Sequence, residues 1–151
     1  MSYVYRIAMP SDQKSVVQLL SDLIDELGPK EWAEQLKAHL PADIQKALAS
    51  EQVRIFLAEL HGEVVGLSRA DVLSQDPIFR MRDDHRCGYV DQMYVRKEHR
   101  SRGLGAELLV RAEEWFRALG IGFAILHAAP RAVQFYANSG YQPNREMFKR
   151  L

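Results

Sequence analysis

The chain has 151 residues, enough for one domain with a full core, and its hydrophobic (47%) and charged (26%) fractions are those of an ordinary globular protein. A net charge of zero argues against a general nucleic-acid binder, and a lone cysteine, Cys87, excludes an internal disulfide framework and a cysteine zinc cluster. No secretory segment, lipidation signature or apolar run of bilayer length is found, so no membrane partner and a cytoplasmic location are expected.

Residues 3–9 alternate well enough for a first strand, and Pro10-Ser11-Asp12 opens a helix with Ser11 as its N-cap. Val16, Leu20, Leu23, Ile24 and Leu27 fall on one face of that helix, which Gly28-Pro29 stops. A second helical region covers about residues 30–50, broken or kinked at Pro41. Val53–Leu60 and Val64–Asp71 flank His61-Gly62-Glu63 and read as a hairpin with a glycine turn. Residues 74–87 are polar and punctuated, a connecting loop. Gly88–Val95 reads as a strand whose core candidates Val90, Met93 and Val95 are spaced three and then two. A regular strand keeps period two, so an extra residue between Val90 and Met93 predicts a β-bulge.

Behind this strand lies Arg96-Lys-Glu-His-Arg100-Ser-Arg-Gly103-Leu-Gly105, and a helix follows at once, with Leu104, Leu108, Leu109, Ala112, Trp115, Phe116 and Leu119 at helical spacing and Gly120 as its C′ residue. Helix N-terminal amides lack intrahelical partners, the dipole adds positive potential, and glycines let an anion approach the backbone, so the turn is a ready phosphate site. The helix start lacks the Gly-Lys-Ser/Thr of a nucleotide P-loop, and Leu108 stands where a dinucleotide fingerprint needs a small residue. Phe123–Ala128 reads as a buried strand and Arg131–Ser139 as a short helix ended by Gly140, while Tyr141 and Arg145–Leu151 are expected to close the sheet. Residues 1–52 carry five Lys/Arg against eight Asp/Glu, and residues 80–102 seven against four. The basic part suits an anionic cofactor and the acidic part a cationic amine.

Arg100-Ser101-Arg102-Gly103-Leu104-Gly105 fits Gln/Arg-x-x-Gly-x-Gly/Ala and resembles the acetyl-CoA pyrophosphate loop of the GNAT superfamily of N-acetyltransferases. The bulged strand upstream, and Phe135-Tyr136 followed by Gly140-Tyr141 downstream, resemble that family's other recurring segments in order and spacing. The resemblance implies an α/β (α+β) fold, with a mixed, mostly antiparallel central sheet, a bulge in strand four and helices on both faces, as one acyl-CoA N-acyltransferase-like domain over residues 1–151. It implies acetyl-CoA as cosubstrate, with Met93, Tyr94, Val95, Arg100, Ser101, Arg102, Gly103, Leu104, Gly105, Ala106 and Asn138 as cofactor-binding residues. The pantetheine arm would lie where strands four and five splay apart, with the oxyanion site near Met93.

Acetyl transfer to an amine needs a deprotonated amine, a polarised thioester carbonyl and a protonated leaving thiolate. Tyr136 matches the family's tyrosine that serves as general acid toward the coenzyme sulfur. Asp91 lies in the strand where some members carry an amine-facing glutamate, and Asp83, Asp84, His85, Glu26 or a water chain are alternative bases. No metal site is expected. Where the family often has asparagine before the late helix, this chain has Ala128-Ala129-Pro130, which puts coenzyme contacts from that spot in doubt. Lys97 and His99 read as solvated, while Trp32 and Tyr141 could line an acceptor pocket, Trp32 reading equally as core. The expected function is direct acetyl transfer to a primary amine of a small molecule or peptide, with a homodimer left open. The alternative is a non-catalytic acyl-CoA-binding sensor.

Overall fold

A computed structural model describes residues 2–27, 30–74, 85–144 and 147–151. Five strands form one sheet in sequence order: β1 (Val4–Ile7), β2 (Val53–Leu60), β3 (Glu63–Ser74), β4 (Arg86–Val95) and β5 (Ala124–Leu126). Neighbours are antiparallel except β4 and β5, which are parallel. Helices α1 (Gln13–Leu27) and α2 (Ala33–Ala49) cover one face, where Val16, Leu19, Leu20, Leu40 and Ile44 meet Ile55, Leu57, Leu67 and Tyr94. Helix α3 (Leu104–Ala118) covers the other and packs Leu104, Leu108, Leu109, Ala112, Trp115 and Phe116 on Phe56, Val65, Ala70 and Val90. Burying both faces in this way is the dominant stabilising term of the fold. A short α4 (Val133–Asn138) follows β5.

The mixed sheet with helices on both faces is as expected, and several details are corrected. Ser11 is not the N-cap: Met9 takes that position, before a 3-10 turn over Pro10–Asp12 that leads into α1, and the Asp12 carboxylate accepts the Met9 N–H at 2.7 Å and pairs with Arg6. Helix α2 runs unbroken through Pro41. The His61-Gly62 turn has positive φ at both residues (53° and 82°), the twist that suits a two-residue hairpin. Strands β3 and β4 extend into the expected loop, pairing as far as Ser74 with Arg86, and residues 75–84 lie outside the described residues. Leu119 is 39% exposed because α3 has ended before it, whereas Gly120 (φ 77°) closes the helix as expected. Strand β5 is only three residues long and half-buried. No strand occurs among described residues beyond Tyr141, where Met147 and Phe148 stand exposed; two residues of that stretch, Arg145 and Glu146, lie outside the described set.

Candidate active site

The bulge is where the period-three spacing predicted it. Ala70 pairs with Val90 and Arg69 with Gln92, so Asp91 is the extra residue in β4. The inserted residue shifts the side-chain parity, leaving Val90, Met93 and Val95 all toward α3 and Tyr94 toward α1 and α2. The parallel pairing with β5 covers Gly88 to Val90 and stops at the bulge. Beyond it, Arg96 donates to Val65 on the β3 side, while the Val95 carbonyl turns the other way to accept Arg100 Nε at 2.8 Å. Strand alternation therefore sets the Met93 amide on the same open side as Val95.

A cleft of about 660 Å³ fills this opening, lined by Asp91 to Val95, by Arg100, Ser101, Gly103 to Ala106, and across from them by His127, Arg131, Phe135 and Tyr136. Ser101 and Gly103 both have positive φ (60° and 83°), so the backbone turns sharply before the first helical bond, Glu107 N–H to Gly103 O at 3.0 Å. A Cβ on Gly103 would meet no protein atom within 4 Å, which leaves open space before the free amides of 104–106. These features fit a phosphate-bearing coenzyme. A Cβ on Gly105 would instead touch Phe135 at 3.4 Å, so this glycine sits against the ring of α4. A larger hollow of about 890 Å³ lies behind, among α3, β5 and α4, with mainly apolar walls and neither bulge nor loop.

Tyr136 lies between the two hollows, its ring edge-on to Phe135 and Tyr141 at 5.0 and 5.9 Å between centroids. Burial raises its pKa, so the phenol stays protonated at neutral pH. Asp91 is half-buried, with Arg69 Nε 3.4 Å away. Burial raises its pKa, Arg69 opposes the rise, and Asp71 and Asp43 reinforce it. Arg69 itself is buried and shared among Asp43, Asp71 and Asp91. Beside Asp91, the Gln92 Oε1 is buried without a hydrogen-bond partner among the described residues.

Other expected residues take different places. Glu26 is no base: burial alone would raise its pKa, but hydrogen bonds from Arg131, Arg100 and Tyr94 outweigh this and hold it at about 2. Arg100 is engaged by the Val95 carbonyl and by both oxygens of Glu26, and Arg102 is exposed and does not line the cleft. Asn138, exposed, accepts Gln134 Nε2 at 2.8 Å within α4 and lies away from the cleft. His99 is not solvated but half-buried against the Tyr3 hydroxyl at 3.1 Å, while Lys97 is exposed as expected. Trp32 is 56% exposed, neither core nor cleft, and Tyr141 reaches Glu113 at 3.4 Å. His85 is exposed, and Asp83 and Asp84 lie outside the described residues. Sequence reasoning missed Arg131 and His127. The latter faces the cleft with Nδ1 2.8 Å from the Tyr89 hydroxyl, and both reach it only because β5 ends beside the bulge.

The Acetyltransferase (GNAT) family profile matches residues 17–141. A GCN5-related N-acetyltransferase from Ralstonia eutropha JMP134 superposes with a TM-score of 0.91 at 26% identity, over 99% of both chains. A predicted acetyltransferase from Clostridium acetobutylicum, solved with acetyl-CoA, gives 0.87 at 21% identity, over 99% of this chain and 96% of that one. The aminoglycoside N-acetyltransferase AAC(6')-Iy, solved with CoA, gives 0.79 at 16%, over 99% and 95%. A comparison with functionally curated proteins found no match. With a bulge that splays β4 from β5 and a glycine turn leading into α3, the chain belongs to the GNAT acetyltransferase family and is an N-acetyltransferase.

Proposed function

We propose that the enzyme transfers the acetyl group directly to a primary amine of a small molecule or peptide, within the cleft opened by the bulge at Asp91. That opening is the observation that carries the reading, since it exposes strand backbone on one wall and titratable side chains on both. Acetyl-CoA supplies a thioester-activated acetyl group. The loop 100–106 and the first amides of α3 hold its phosphates, and the splayed edge of β4 holds its arm. The Met93 amide, turned to the open side, donates to the carbonyl oxygen as negative charge develops there. Asp91 takes the ammonium proton, its burial making the carboxylate a better acceptor of it. Tyr136, protonated and facing the cleft, returns a proton to the departing sulfur.

A cationic acceptor is supported by the three carboxylates of Asp43, Asp71 and Asp91, which among the described residues outnumber the one guanidinium that they share. The aminoglycoside acceptor named for one structural neighbour makes such polyamines the first candidates. The test is thiol release from acetyl-CoA across a panel of aminoglycosides, polyamines and N-terminal peptides. Turnover with at least one amine is expected. Tight acetyl-CoA binding with no amine turned over would favour the sensor reading.

A further inference from the structure

We propose that Arg131, on the β5 side of the cleft, binds a phosphate of acetyl-CoA, and that Glu26 is the internal anion the coenzyme displaces from it. This rests on the reading that the coenzyme phosphates lie at the 100–106 loop. Glu26 reaches from the end of α1 to both walls of the opening. Its two oxygens accept Arg100 Nη2 at 2.8 Å, one accepts the Tyr94 hydroxyl at 2.8 Å, and the other accepts Arg131 Nη2 at 2.6 Å. One carboxylate thus joins a guanidinium from the phosphate loop to one from the segment after β5.

The two arginines are not equivalent. Arg100 is fixed a second time by the Val95 carbonyl and lies 5.4 Å over the Tyr94 ring, so it holds the loop in shape. Among the described residues, Glu26 is the only hydrogen-bond partner of the Arg131 side chain, which is half-exposed and lines the cleft with Ser101 and Gly103. Most of its N–H donors remain unused, in the planar fork that suits phosphate oxygens. The pyrophosphate as a whole carries two negative charges and four free acceptor oxygens, against one charge and two oxygens on a carboxylate, so it competes well for this guanidinium. Arg131 also answers the missing asparagine: a coenzyme contact from this side comes from a residue just beyond Ala128-Ala129-Pro130, on a longer arm.

The test is calorimetric titration of the full chain with acetyl-CoA at low and high salt, without any acceptor amine. Arg131→Gln, at an exposed position, should raise Kd about tenfold, in line with losing one charge-assisted hydrogen bond. Its gap from the parent should narrow as salt rises. Glu26→Gln keeps the shape, removes the competing charge, and should lower Kd about threefold. An unchanged Kd for Arg131→Gln overturns the proposal, as does weaker binding by a folded Glu26→Gln protein, which would make the carboxylate a support for the coenzyme site. Gly103→Val separates the two levels: if it binds acetyl-CoA like the parent, the loop reading fails, whereas lost binding there beside an unaffected Arg131→Gln sinks only Arg131.

Discussion

The roles proposed for Asp91 and Tyr136 are opposite, and their surroundings differ accordingly. Asp91 is half-buried near other carboxylates, with one guanidinium in reach among the described residues, so protonation there is made easier, whereas Tyr136 sits among aromatic rings that keep its proton on. Asp91→Asn should lower kcat/KM by about 10²–10⁴-fold where the amine arrives as ammonium. The deficit should shrink at high pH, where free amine needs no base, and pH–rate profiles of parent and variant check this. An unchanged profile would move the base elsewhere. Tyr136→Phe keeps the ring contacts and removes only the hydroxyl, so kcat should fall while acetyl-CoA affinity and Tm hold. Because a thiolate leaves readily by itself, with thiol pKa values of about 8.5, a loss of no more than about 10²–10³ is expected. Parental kcat in the phenylalanine variant would exclude the hydroxyl as the acid.

Among the elements, β4 does most to build the site, and its packing leaves little room for change. A Cβ on Gly88 would lie 2.4 Å from the Phe116 ring of α3, so the strand and the helix that bears the loop touch through a missing side chain. Gly88→Ala should cost about 1–3 kcal/mol by overpacking, seen as a lower Tm, and an unchanged Tm would mean that the ring repacks freely. Helix α1 is tied to the same strand through Glu26, Tyr94 and Arg100. A carboxylate whose folded pKa is depressed contributes stability above its unfolded pKa and loses it as pH falls through the folded value. With Glu26 held at about 2, the Tm gap between parent and Glu26→Gln should be full at neutral pH and should close between roughly pH 4.3, the ordinary glutamate value, and about 2. Melting curves across that range check it. A gap independent of pH would mean that the ionised pairs do not stabilise α1.

For the whole molecule, a ligand that binds only the folded chain adds RT ln(1 + [L]/Kd), about 2.7 kcal/mol at a hundredfold excess over Kd. Acetyl-CoA should therefore raise the Tm by several degrees. In Gly103→Val the shift should disappear, because a branched side chain would fill the space before the α3 amides and strain a position with φ 83°. A full shift in that variant would show that the phosphates lie elsewhere. The sheet supports this arrangement globally. Cores on both faces clamp β3 and β4, so β4 and β5 can part at the bulge without the rest of the sheet coming apart.

Local rules were enough for the features in which chemistry and neighbouring residues coincide. The spacing of Val90, Met93 and Val95 specified the bulge, because parity along a strand is a property of the backbone. The glycines and the amphipathic run from Leu104 to Phe116 specified the loop and α3, because free amides and a 3.6-residue period are equally local. The same locality misplaced Asn138, which bonds within its own helix, and left Trp32 undecided between pocket and core. Tertiary structure alone decided which distant charges meet. Glu26 lies 74 residues from Arg100 and 105 from Arg131, and nothing in either segment marks the pairing. A hydrogen bond depends on where α1 and β5 come to rest against β4, and the packing of the whole sheet sets that.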